Sequence, residues 1–378
     1  MIELLYILSV VYLFVVFMIY PKSKEKLSIF KFSILGVVCL MCYNMIVCLI
    51  LNSLKILINL QSLMIVNYIL SNMIMYFIVK KKQIQGYYLE KNSIIYTVFL
   101  VILVSILSYS YFEDLRISFV TMDSSVHFSN ARKLYESGEL EGLIIGCYVN
   151  VAILFHITTR LIGVTNLYKV FILFDIFLLF IMGEAIYACI EKVMNKKRFM
   201  ITILMSAFFL LGYPLNIMLV GFSYLQLAVT IIAIIIMILQ FFEEKKVKNR
   251  YIYIFLFLCN FGVLFSYCLL SPTIYITELI YIIYINKKRK KKISFYFYTI
   301  FFVFGIPAIS GILFFILPHL LNTPKENKFY NLEGYIYRNI WSNFILLIPI
   351  AIGIIKKRNN DSLVWKTLFI VQILLHQK

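Results

Sequence analysis

The residues with the most chemical potential lie in one short segment, Thr121-Met122-Asp123-Ser124-Ser125-Val126-His127, which runs on through Arg132 and Glu136 to Gly138. The stretch from about Ser124 to Ser137 reads as a helix capped by Gly138, with Asp123 at or near its N-cap. His127 then follows one turn later on the same face. A carboxylate and an imidazole so placed can share a proton or hold a divalent cation. An N-cap aspartate beside a solvated histidine has the same spacing, so the surroundings must decide between the two. Downstream come Gly146, Cys147, Tyr148 and His156, then Arg160, Gly163 and Asn166.

Other polar residues invite the same question. Asp175 and Glu184 fall within the apolar run 167–190, and Glu278 within 271–286. An intramembrane carboxylate is costly and faces a bundle interior or a watery cavity, unless it sits in the interface near a helix end. Arg160 and Lys169 flank the break at Gly163 and read as snorkelling side chains. His319, Lys325, Lys328, Tyr335 and Arg338 share a late polar loop, where they form an ordinary solvated surface or meet a lipid pyrophosphate. The 28 Tyr and 34 Phe read mostly as lipid-facing and interfacial residues. Six of the seven Cys lie inside apolar runs; Cys39 and Cys42 form a CxxC that reads as small packing residues, with neither a disulfide framework nor a metal site expected. There is no P-loop, dinucleotide fingerprint, HExxH or GxSxG.

The elements that must position these residues follow from composition. Apolar residues make up 62% of the 378 and charged residues only 14%, against about a quarter in soluble domains. Stretches near the 20 residues needed to cross a bilayer recur along the chain, and each must satisfy its own backbone polar groups as a helix. The predicted fold is therefore all-α: a polytopic transmembrane bundle of about 11–13 spans in a single integral membrane domain. Its parts are the N-terminal spans in 1–111, an acidic external loop at 112–142, central spans in 143–317, a second external loop at 318–340 and C-terminal spans in 341–378. The last run is short and ends in His376, Gln377 and Lys378, consistent with a truncated form of a longer chain. The first run lacks a basic leader and a small-residue cleavage site, and reads as a retained span.

The net charge of +18 raises nucleic acid as a partner, and its distribution argues against it. Twenty-five of the 36 basic residues lie in six patches at the ends of apolar runs: 22–31, 80–91, 192–198, 245–250, 287–292 and 356–358. That is the pattern of cytoplasmic loops under the positive-inside rule. The 112–142 segment differs, since it holds six of the 18 acidic residues and is placed outside. One conflict follows. Between an external 112–142 and an internal patch near 196–198, the runs 143–162 and 167–190 can supply only an odd number of crossings. Either 143–162 is re-entrant or lies on the surface, or the patch near 195 is external.

From Asp123 to Gly163 the chain resembles the GT-C integral-membrane glycosyltransferases, which use polyprenyl-phosphate-linked sugars. Members carry an acidic residue in the first large external loop, then an amphipathic helix ending in Gly, then an aromatic lead into an apolar run that ends near a Gly. Asp123, His127, Gly138, Tyr148, His156 and Gly163 follow that order, over about 112–190, with a weaker echo at Gly212-Tyr213-Pro214 and at 266–272. The prolines expected after Tyr148 are Val149 and Asn150 here. The resemblance implies sugar transfer from a polyprenyl-phosphate carrier to a glycan or lipid acceptor in cell-surface glycan assembly. Asp123 would be the general base and His127 would orient it or the phosphate. Arg132 or Arg338 would neutralise the leaving phosphate, and Tyr148 and His156 would line the substrate site. A divalent cation is compatible with these residues and not required by them. The expected setting is a bacterial cytoplasmic membrane. The alternatives are a polysaccharide repeat-unit polymerase, which usually carries its large loop later in the chain, and a transporter or flippase lined by Asp175, Glu184 and Glu278.

Overall fold

In a computed structural model, the chain is described over residues 1–313 apart from 22, 24–25, 82–84, 112–121, 141–146, 195–198, 212–222, 244–248, 268–270 and 289–292; at 122–124 and several other helix ends the description is of the backbone alone. The apolar runs form helices because lipid offers their backbone groups no partners outside the helix itself. The first compact unit, Met1–Tyr267, contains α1 (Ile2–Ile19), α2 (Ile29–Ser53), α3 (Leu60–Lys81), α4 (Lys91–Tyr111) and α5 (Met122–Ser137). It continues with α6 (Cys147–Ile157), which runs into a π-helical turn at Thr158–Ile162, then α7 (Leu167–Met194), α8 (Phe199–Leu211), α9 (Ser223–Glu243) and α10 (Asn249–Ser266). The second unit, Cys268–Lys378, has among its described residues α11 (Ser271–Lys288), α12 (Ile293–Ile300), a π turn at Phe301–Gly305 and α13 (Ile306–Gly311).

Among the described residues six helices are long and apolar enough to cross a bilayer: α1, α2, α3, α4, α7 and α9. The chain is thus a polytopic α-helical membrane protein. The gap to the expected span number has two sources. Residues 318–340 and the runs at 341–355 and 363–376 lie outside the described residues, and the apolar helices at 148–162, 251–266 and 301–311 fall short of spanning length.

Burial sorts the helices of the first unit. The apolar windows of α2, α7 and α9 are 72%, 78% and 72% buried, against 33%, 22% and 22% for α1, α3 and α4. The first three form the centre, and the others turn residues such as Leu8, Ile69 and Ile102 outward. Close approach relies on small residues, as expected where lipid is as apolar as Leu. A side chain at Gly183 would meet Leu100 and Leu210, and one at Gly262 would meet the Cys42 thiol and Ile231. The CxxC cysteines thus belong to a packing seam, and the described cysteines, Cys39, Cys42, Cys48, Cys189 and Cys259, are free and buried.

Two sets of contacts define the ends of this unit. At the basic end Leu27–Ser28 pairs in parallel with Tyr87–Tyr88, and the Tyr87 hydroxyl donates to the Met18 carbonyl. There Lys31 stands between Glu191 at 2.5 Å and Glu90 at 3.5 Å, joining α2, α4 and α7. At the opposite end the Ile58 N–H donates to the Gly138 carbonyl at 2.8 Å, Leu140 N–H donates to Asn52 Oδ1 at 2.9 Å, and Arg160 pairs with Glu3 at 3.6 Å. Gly138 is the expected cap: its φ is 69°, and its N–H returns to the Leu134 carbonyl.

The topological conflict resolves in the pairing of α5 with α6. His127 lies against Tyr148, and Tyr135 lies against His156. The two helices are therefore parallel, and both run toward the end that holds Glu3, Ile58 and Arg160. The described part of that run, 147–162, therefore has the direction expected of a re-entrant segment, and α7 leads back to the basic end.

Two outcomes are expected. In a chain whose native cysteines are replaced, Ile56→Cys and Ser137→Cys should react with an impermeant thiol reagent from one side of the membrane, and Leu89→Cys only from the other. Opposite labelling of the first two would contradict the parallel α5–α6 pair. Lys31→Met leaves two buried carboxylates facing each other, and removing one partner of such a group costs about 3–5 kcal/mol. Thermal unfolding should show that loss, and adding Glu191→Gln should restore part of it.

Candidate functional site

α5 is the amphipathic exception among these helices. The Asp123-to-Ser137 stretch carries too many polar residues to span, and its apolar side, with Phe128, Ala131 and Leu134, packs inward. Phe128 meets Phe155 of α6 and Tyr168 and Phe171 of α7, with ring centroids 6.1, 5.3 and 5.9 Å apart. That docking carries His127 inward. It is buried, its Nδ1 shares a hydrogen bond with the Tyr148 hydroxyl, and its ring lies 4.7 Å from that of Tyr224 on α9. Tyr224 in turn lies 5.8 Å from Tyr267, just beyond α10. Behind Tyr148, Asn44 of α2 donates to Asn150 Oδ1 at 3.1 Å, and Asn150 donates to the Met41 carbonyl at 3.4 Å.

Asp175 completes the cluster. It lies one turn after Phe171 on α7 and is 1% exposed. Ser223, the first residue of α9 and neighbour of Tyr224, lies beside its carboxyl. The contact lacks hydrogen-bond geometry: among the described residues neither Asp175 oxygen nor the Ser223 hydroxyl has a partner. By helix rise Asp175 is about 12 Å along α7 from Leu167, and Tyr148 about 18 Å along α6 from Arg160, so both stand more than two turns in from those ends.

The acids of α7 differ in their surroundings. Glu184 accepts a hydrogen bond from Thr97 of α4 at 2.6 Å, and Glu191 is held by Lys31. These two are an i, i+7 pair on one stripe, whereas Asp175 lies on the opposite side of the helix from Glu184 at about 100° per residue. Glu184 is also deep within α7 rather than at its end in the interface. In the second unit Glu278 is likewise buried within α11.

The residues singled out in the sequence divide as follows. His127 and Tyr148 meet. Asp123 lies in the first turn of α5, which begins at Met122 rather than after Asp123, and its side chain lies outside the described residues. Arg132 is exposed and pairs with Glu136 at 2.7 Å, nearer the far end of α5. His156 lies on Tyr135, with centroids 4.4 Å apart, two turns along α6 from Tyr148. Arg338 lies outside the described residues. Tyr224, Ser223, Asn150 and Tyr267 carry no motif, although Tyr267 falls in the 266–272 echo. The reading of Tyr as mainly lipid-facing fails for Tyr6, Tyr96, Tyr148, Tyr187 and Tyr281, which are fully buried. Among the described residues no three His, Cys, Asp or Glu side chains are grouped to hold a metal ion.

Fold and site together define a multi-pass helical membrane protein with a polar, aromatic-lined centre where α5, α6, α7 and α9 meet. The chain matches no known family, and no curated protein or solved structure matches it.

Tyr148→Phe should destabilise the protein by about 1–3 kcal/mol, since it leaves the buried His127 nitrogen without its hydroxyl. His127→Phe combined with Tyr148→Phe should cost less than the two single changes together, because they share one interaction. Additive losses in thermal unfolding would show that the pair is not coupled.

Proposed function

We propose that this protein is a membrane glycosyltransferase of cell-surface glycan assembly, acting in the cell membrane on a sugar carried by polyprenyl phosphate. The observation that carries this reading is the His127–Tyr148 pair, which anchors a polar helix deep in an apolar bundle. A surface helix with an N-cap aspartate and a solvated histidine has no need of such an anchor. The helix so anchored carries Asp123 in its first turn, four residues before His127. Its other end opens at the non-basic face, which the positive-inside rule assigns to the outside. A polyprenyl chain in lipid would bring its phosphate to that face and its sugar to the cluster.

In this reading the acceptor hydroxyl oxygen attacks the anomeric carbon, and the bond from that carbon to the phosphate oxygen breaks. The hydroxyl proton passes to the Asp123 carboxylate, and polyprenyl phosphate leaves with the bonding electrons. His127, held by Tyr148, fixes the turn that carries Asp123. Arg132, exposed near the outer end of α5, is placed for the phosphate and would exchange Glu136 for it. The separate faces of Asp175 and Glu184 speak against the transporter alternative, because one translocation path along α7 would need its acids on one side.

Asp123→Asn should leave the fold intact and lower product formation at least a hundredfold, the order contributed by a positioned base. The assay uses reconstituted membranes with a polyprenyl-phosphate sugar and a lipid acceptor, and Asp114→Asn as the acidic control. Full activity in Asp123→Asn would remove the catalytic assignment.

A further inference from the structure

Asp175 has no role in the transfer step just described, yet it is the most conspicuous polar group of the first unit. A carboxyl buried in the apolar interior normally finds hydrogen bonds or a counter-charge, because its desolvation is otherwise uncompensated. Glu184 and Glu191 obey that rule on the same helix. Asp175 does not: among the described residues it has no hydrogen bond, and the Ser223 hydroxyl beside it has none either. These unused acceptors adjoin a group of rings, with Tyr224 next to Ser223 in sequence and His127 and Tyr148 beyond it. Phe171, one turn before Asp175, touches Phe128, the residue after His127, so the rings and the acid approach from the same side of α7.

We infer that Asp175 and Ser223 form the polar floor of a saccharide-binding subsite walled by Tyr224, His127 and Tyr148. The chemistry fits a pyranose better than an ion. Two carboxyl oxygens can accept from two neighbouring sugar hydroxyls, and the serine hydroxyl can donate or accept as the sugar requires. The C–H faces of a sugar ring are apolar and suit aromatic walls. A hard cation asks for six or more oxygen ligands, and the described side chains offer no such set. The unmet hydrogen bonds of Asp175 are then those a bound sugar supplies, and their cost is borne by the empty protein. This subsite rests on the glycosyltransferase reading for the side from which the sugar arrives, but its test is one of binding.

The experiment uses the full chain in lipid nanodiscs, with submicellar octyl hexosides of several sugars as probes and 1,2-octanediol as the matched control. Thermal unfolding is followed for the wild type, Asp175→Asn and Asp175→Leu. At least one hexoside, and not the diol, should raise the wild-type unfolding temperature. Asp175→Asn keeps the shape and should weaken the apparent affinity about tenfold or more, the loss of one good hydrogen bond to a polar ligand. Asp175→Leu should abolish the response while leaving the empty protein as stable as wild type or more so, since it removes a group with no partner. Equal stabilisation by hexoside and diol, an undiminished response in Asp175→Leu, stabilisation by Na⁺ or Ca²⁺ in place of hexosides, or a large loss of stability in both variants would each overturn the assignment. If the hexoside response depends on Asp175 while the wild type forms no product from a polyprenyl-phosphate sugar, the subsite stands and the transferase reading falls. If Asp123→Asn is silent and the hexoside response ignores Asp175, the reverse holds.

Discussion

A polar group inside a hydrocarbon layer must be satisfied by the protein, because the solvent there offers nothing. That constraint makes a helix the default for every apolar run, and it makes a helix end in mid-membrane a structural problem, since the first N–H groups of a helix lack intrahelical partners. Ordinary spans avoid the problem by ending in the head groups. Here α5, α6 and α9 begin beside one another, around His127, Tyr148 and Ser223, at a depth where α7 is in mid-course. A bundle of simple crossings would have no reason to gather such ends. Buried polar side chains from four helices, His127, Asn150, Asp175 and Ser223, gather there.

The remaining architecture supports that centre. α2, α7 and α9 are the buried helices, and their positions are set at the basic end by Lys31 between Glu90 and Glu191. At the other end the Gly138 carbonyl on the α2–α3 turn, and Arg160 on Glu3, hold the far ends of α5 and α6. The polar helix is thus fixed at its outer end by backbone bonding and at its inner end by His127 on Tyr148. Its middle is held by Phe128 wedged between α6 and α7. Gly138 is irreplaceable in this scheme for two reasons: its φ is positive, and a side chain there would press on the Ile58 carbonyl at 3.3 Å.

Much of this was legible in residue order. Apolar runs place the N-terminal spans within 1–111 because the bilayer imposes their length, and Gly138 and Gly163 mark breaks because both adopt left-handed backbone. The pairing of His127 with Tyr148 was half legible: both residues stood out, but their contact depends on α5 and α6 running parallel, which no local pattern encodes. Charge counting exposed the odd number of crossings without saying which run was re-entrant. Ser223, Tyr224 and Asn150 were illegible, because their significance is tertiary. A serine opening an apolar run looks like any helix start, and an asparagine within one looks like an isolated polar residue until Asn44 is placed opposite it.

The acids of α7 show why burial alone is a poor guide to function in such a protein. Composition treats Asp175, Glu184 and Glu191 alike, as carboxylates where carboxylates are expensive. Their neighbours separate them. Glu191 shares a lysine with Glu90, and Glu184 takes a hydroxyl from Thr97, so each repays some of its desolvation by tying α7 to α2 or α4. Such pairs are replaceable in principle by apolar residues of similar volume, as buried ion pairs often are. Among the described residues Asp175 makes no hydrogen bond that ties α7 to another helix, so the contacts that explain Glu184 and Glu191 do not explain it. In the proposed subsite the missing hydrogen bonds come from a ligand, and the position of Asp175, on the side of α7 opposite Glu184 and beside Ser223, would set that binding next to the His127–Tyr148 pair.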